Sequence, residues 1–224
     1  MRKLLLGALL TASASIMSAG IMLTEENPGQ TTSTVAGATN IVNFNALPTG
    51  AFSGSTSIGT YSSGGTIVAP DQFSGDASKY ISVGAQSGQT SYTLTFNTPQ
   101  SYFGLLWNAL DSENSLTLYN GSTALMTFNA STFSSLSSLY KGNPSGAYKG
   151  QDSGEDFFFL NIFGTSGTTF TSVVFSNSGT GTGFESDNHT ILASTVPEPS
   201  TYGMLFAGLS ALGIAARRRS TRKL

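Results

Sequence analysis

The feature that most limits what this chain can fold into is a succession of short runs with a period of two, each closed by Gly, Asn, Ser or Pro. Along 91–97, Tyr92, Leu94 and Phe96 fall on one face and Thr93 and Thr95 on the other, the pattern of a half-buried strand. Pro99 ends it. Residues 102–107, YFGLLW, are apolar on both faces, which predicts a central strand covered on each side, with Gly104 allowing a bulge or a close approach. Further runs lie at 40–44, 66–69, 80–83, 156–163, 169–176 and 183–193, of which 156–163 is the most apolar. Residues 130–140 place Phe133, Leu136 and either Leu139 or Tyr140 at helical spacing, enough for one or two turns. No long amphipathic helix is legible. Roughly eight to ten short strands with turn signals between them predict an all-β, antiparallel β-sandwich with jelly-roll-like connections.

The clearest hairpin is 115–128, where Asn120-Gly121 separates two alternating runs. A two-residue loop would split the apolar residues between two faces. A three-residue loop over 119–121, with Gly121 left-handed, gathers Leu116, Leu118, Ala124, Met126 and Phe128 on one face, and that loop is the expectation.

The termini read differently. Arg2 and Lys3, then the apolar 4–10, then small residues at Ala12, Ala14, Ser18, Ala19 and Gly20, form a secretory signal over 1–20, with cleavage after Ala14 or Gly20. Retention as a signal anchor is the alternative. Residues 21–38, small and polar in their later part, read as a linker, and 39–194 as the folded ectodomain. With no cysteine in the chain, an exported body has to be held by core burial, ions or partners.

Charge is unevenly placed. Residues 39–194 keep only Lys79, Lys141 and Lys149 against nine acids, a net of about −6. That body has no electrostatic footprint for nucleic acid.

The final stretch, 195–224, has three parts. Val196, Pro197, Glu198 and Pro199 are followed by Ser200; 202–216 is apolar; and Arg217, Arg218 and Arg219 open a basic end, 217–224. As a helix, 202–216 spans about 22 Å at ~1.5 Å per residue, short of a ~30 Å hydrocarbon core. Three glycines weaken it further. It suits a transient transmembrane sorting helix with a cytoplasmic Arg stop better than a permanent anchor. This layout resembles the PEP-CTERM sorting signal, a family whose members are exported and read by exosortases. In the body, 102–107, Asp111, 114–121 and the closing 184–188 also resemble the ectodomains of some exosortase-dependent surface proteins. That resemblance implies a secreted β-sandwich and supplies no catalytic residues.

Candidate chemistry is sparse. His189 is the only histidine, no Gly-x-Ser-x-Gly elbow occurs, and His189 reads as a solvent-facing residue at a strand end. Carboxylate pairs for glycoside hydrolysis are Asp111 with Glu113, Glu155 with Asp156, and Glu185 with Asp187. Hard cations want clustered carboxylate and carbonyl oxygens, so a Ca2+ ion has two candidate ligand sets. One is Glu185, Asp187 and Asn188; the other is Asp152, Glu155 and Asp156. Tyr140 and Tyr148, in or beside a polar loop, are the candidate sugar-stacking residues, whereas Trp107 reads as core.

These readings favour an exported, non-enzymatic surface or extracellular-matrix protein. It would be anchored transiently in the inner membrane, cleaved by an exosortase-like membrane protease, and associated with exopolysaccharide in a biofilm. A carbohydrate-binding module is the alternative, and a secreted glycoside hydrolase or lyase a third.

Overall fold

The computed structural model describes residues 15–18, 20–133 and 140–193. The chain divides into two units, Met1–Leu192 and Ala193–Leu224. The sorting motif at 196–200, the apolar 202–216 and the arginines at 217–219 lie outside the described residues, as do 1–14 of the expected signal and 134–139 of the expected helical turns. No helix among the described residues is long and apolar enough to cross a membrane.

Among the described residues thirteen strands form one antiparallel sheet, nearly closed into a barrel. They are β1 (Ser15–Ser18), β2 (Ile21–Glu25), β3 (Ala38–Val42), β4 (Gly50–Ser55), β5 (Gly59–Val68), β6 (Tyr80–Gly84) and β7 (Ser91–Gln100). β8 (Tyr102–Leu110), β9 (Asn114–Asn120), β10 (Thr123–Asn129), β11 (Asp156–Gly164), β12 (Phe170–Asn177) and β13 (Gly183–Leu192) follow. The order is β1-β2-β11-β8-β13-β6-β5-β7-β12-β9-β10, with β3 on β13 and β4 on β5. The all-β antiparallel expectation holds. In place of the two separate sheets of a jelly roll, one continuous ladder curls round, because β13 bonds β8 on one side and both β6 and β3 on the other.

Alternation decides what lies inside. Phe103, Leu105 and Trp107 of β8, Phe158, Leu160 and Ile162 of β11, and Tyr92, Leu94 and Phe96 of β7 fill the interior. The opposite faces of β8 and β11 are buried too: Tyr102, Leu106, Phe157 and Phe159 are all but inaccessible, with Ser33 against Tyr102 and Gly75 against Leu106. This is why 102–107 reads apolar throughout. A Cβ on Gly104 would sit 2.8 Å from Phe159 Cε1, so only glycine lets that ring cross β8.

The segment expected to be a linker, 21–38, is corrected at its start. Ile21 and Leu23 are core residues, and β2 pairs with β11 from Glu25↔Leu160 to Ile21↔Gly164. The chain then crosses the outer face as a strap. Glu26 accepts from Thr34 N (2.7 Å), Thr34 Oγ1 (2.7 Å) and Asn161 Nδ2 (3.0 Å). Tyr102 donates to Ser33 Oγ (2.7 Å) and to Asn161 Oδ1 (2.8 Å).

The β9–β10 hairpin also differs from expectation. Asn120 pairs with Thr123, leaving a two-residue loop, Gly121-Ser122, with Gly121 at φ 58°. A register shift between Ala124 and Met126 then brings Met126 opposite Leu118 and Phe128 opposite Leu116. The extra residue is absorbed as a bulge at Leu125 rather than in the turn. Leu116, Leu118, Met126 and Phe128 still share the core side, while Ala124 is exposed.

Candidate functional site

β13 departs from simple alternation. Phe184 stacks on Trp107 inside the barrel at 4.3 Å, and Ser186 lies beside the Tyr92 hydroxyl at 3.2 Å. Asn188 then takes φ 50°, and the register against β8 shifts between Asp187 and Thr190. That bulge turns His189 inward. The expected solvent-facing histidine is fully buried at 0 % exposure, ringed by Phe44, Tyr61, Phe103 and Phe175. Its Nδ1 meets the Tyr61 hydroxyl at 2.8 Å and its Nε2 the Ser186 hydroxyl at 3.0 Å. Burial pushes its pKa down to about 3, so the ring is neutral. A Ser–His contact sealed in a core has no path for substrate, and its role is to hold the packing together.

The acidic residues are regrouped by the fold. Neither expected Ca2+ ligand set comes together. Glu185 accepts from Ser82 Oγ (3.2 Å) and Gln86 Nε2 (2.9 Å), whereas Asp187 accepts from Ser78 Oγ (2.7 Å) and the Asn188 backbone N–H (2.7 Å). Asn188 Nδ2 donates to Thr31 O and to Asp76 Oδ2, each at 2.9 Å. In the second set, Asp156 pairs with Lys141 at 3.1 Å and Asp152 stands at φ 50°. Instead, Asp111, Glu155 and Glu185 line one cavity of about 160 Å3 with Phe73, Gln86, Ala109 and 181–183. No group of three or more His, Asp or Glu among the described residues is arranged to hold a metal ion.

Burial, reinforced by Asp111 and Glu155 and opposed by hydrogen bonds from Ser82 and Gln86, pushes Glu185 up to about 8. Burial and the neighbouring Asp111 and Asp152 push Glu155 up to about 7. Protons thus occupy this cluster over much of the acidic and neutral range. Each of the three proposed carboxylate pairs contributes one member to this cavity, and Asp111 still feels the charge of Glu113 beside it. The regrouping has no local sequence signal, because the three residues come from separate loops and strands.

Tyr140 is half-buried. Its hydroxyl donates to the Glu26 carbonyl at 3.1 Å, and its ring meets Phe158 edge-on at 5.8 Å. It lines a cavity of about 320 Å3 with Pro28, Gly29, 141–144, Lys149, Gly150 and Phe157. Tyr148, in the 3-10 turn Gly146–Tyr148, donates to Pro70 O at 3.2 Å and does not line that cavity. Trp107 is core, as its apolar neighbours imply. Sequence reading missed the two prolines and Lys149 as partners of Tyr140, since only the strap places Pro28 beside it.

Beyond the described residues, 195–219 match the family model of the PEP-CTERM protein-sorting motif. Comparison with curated proteins and with solved structures returned no match.

Proposed function

From the PEP-CTERM sorting motif at 195–219, which implies an exported protein handled by an exosortase, we propose that the chain is a non-enzymatic component of the cell surface or extracellular matrix. In this reading the exosortase cuts near Val196, the tail stays behind, and the β-structured body is delivered to an exopolysaccharide layer. The motif match carries the proposal. The acidic, cysteine-free body supports it, since it is held by core burial and suits an oxidising exterior without needing disulfides.

Carbohydrate binding is the second reading, and the Tyr140 cavity favours it. A tyrosine ring beside two prolines offers the apolar wall on which a sugar ring can rest. A glycosidase or lyase would draw on Asp111, Glu155 and Glu185. Their cavity of about 160 Å3 is below the roughly 300 Å3 at which ligand pockets begin.

Fractionation of cells with and without their exosortase tests the leading reading. The chain is expected in the polysaccharide fraction of the parent and in the membrane fraction of the mutant. An identical distribution in both strains sinks it.

A further inference from the structure

We propose that the Tyr140 cavity takes an anionic sugar residue, a uronate of an acidic polysaccharide, with Lys149 as its carboxylate partner. The inference rests on the exopolysaccharide reading above and names the class of glycan.

Charge segregation carries it. Residues 39–194 have only three lysines against nine acids, and β2 and the strap add Glu25 and Glu26 to the folded body, yet two of the three lysines, Lys141 and Lys149, line this one cavity and no carboxylate does. The carboxylate cavity is lined by Asp111, Glu155 and Glu185 with no cation. A third cavity, of about 520 Å3, is lined by uncharged residues. Of these three cavities among the described residues, the one beside Tyr140 has cationic walls.

The two lysines differ. Lys141 Nζ lies 3.1 Å from Asp156 Oδ1 and donates to Gly154 O at 2.9 Å, so its charge is shared within the protein. Lys149 is exposed and its ammonium has no ion pair or hydrogen bond among the described residues. It is the group left to meet a ligand.

The walls fit a pyranose ring. Tyr140, Pro28, Pro144 and Phe157 give apolar surface for the C–H face of a sugar. The cavity is assembled from the strap, the loop after Tyr140 and the start of β11, and is braced by the Tyr140 hydroxyl on the Glu26 carbonyl. A neutral sugar would use the walls alone; a uronate uses the walls and Lys149.

Binding of the full-length chain in detergent to polygalacturonate, to its fully methyl-esterified neutral form and to dextran decides the matter. The account predicts binding to polygalacturonate that weakens with salt, falls about fivefold or more in Lys149→Gln, and is unchanged in Lys79→Gln, which removes the same charge elsewhere. Tyr140→Ala is expected to abolish binding and Tyr140→Phe to retain it, with melting curves confirming that each variant is folded. Equal binding to the esterified polymer, or equal loss in the two lysine variants, overturns the inference and leaves glycan association standing. Absence of binding to all three polymers overturns it as well, while the cell fractionation reports separately on sorting.

Discussion

The Nδ1 of His189 lies 2.8 Å from the hydroxyl of Tyr61 in the middle of the barrel, with Ser186 closing the other side of the ring at 3.0 Å. A neutral imidazole offers one donor and one acceptor, and the two hydroxyls supply the complements. His189→Phe keeps the ring volume but strands the Tyr61 hydroxyl, an expected loss of about 2 kcal/mol in urea unfolding. His189→Ala adds a cavity, and about 4 kcal/mol is expected.

Stability should peak at acidic pH. His189 is held near 3 in the fold against about 6.5 unfolded, so the unfolded chain binds the extra proton and stability falls as pH drops from about 6.5 toward 3. Glu25 and Glu155, pushed up to about 7, and Glu185, pushed up to about 8, act oppositely. The fold keeps their protons, and that contribution is lost as pH rises from about 4.5 through 7 and 8. Asp111, Asp152, Asp156 and Asp187 are raised by burial as well, so the carboxylates outweigh the one histidine between pH 4.5 and 6.5, and the melting temperature should be highest near pH 4.5 to 5 and clearly lower at pH 8.

Glu185→Gln isolates one of these groups. The amide mimics the protonated acid and can still accept from Ser82 and Gln86, so the variant should match the parent at pH 4.5. At pH 8 it should be the more stable by about 3 kcal/mol. A parent-like pH profile in guanidinium unfolding would show that Glu185 is ionised in the fold.

Asn161 joins the strap to the sheet. It donates to Glu26 and accepts from Ser33 and Tyr102. Asn161→Ala should cost about 3 kcal/mol, because a buried carboxylate and a buried hydroxyl lose partners together. Hydrogen exchange should then quicken over 26–34 before it does in β8.

A chain begun at residue 39 lacks β2 and the strap, baring the edge of β11 and the rings of Tyr102 and Phe159. It is expected to aggregate, whereas a chain begun at Ser15 should give a cooperative melt. Circular dichroism and light scattering on the two chains check this.

Much of the fold was legible wherever alternation was unbroken. Tyr92, Leu94 and Phe96 fall inside as their spacing says, and 102–107 is central because loops cover its outer side. What was not legible lies where a single residue shifts the period. The bulge at Leu125 moves an extra residue out of the hairpin turn, and Asn188 at φ 50° turns His189 from surface to core. An Asn following Asp was the only local hint, since both tolerate left-handed backbone. β2 was missed although Ile21 and Leu23 alternate with Met22 and Thr24, because small residues just before them read as a signal cleavage region. The Tyr140 cavity was half legible: the aromatic residue stands in the sequence, but its neighbours Pro28 and Lys149 are brought to it only by folding.

The central claim is that the chain is exported and parted from its tail. Mass spectrometry of the C-terminus of the protein recovered from the envelope and medium of an exosortase-bearing host tests it most directly. The account predicts a mature chain ending near Val196, without Arg217, Arg218 and Arg219. Mature protein that still carries those arginines would contradict it.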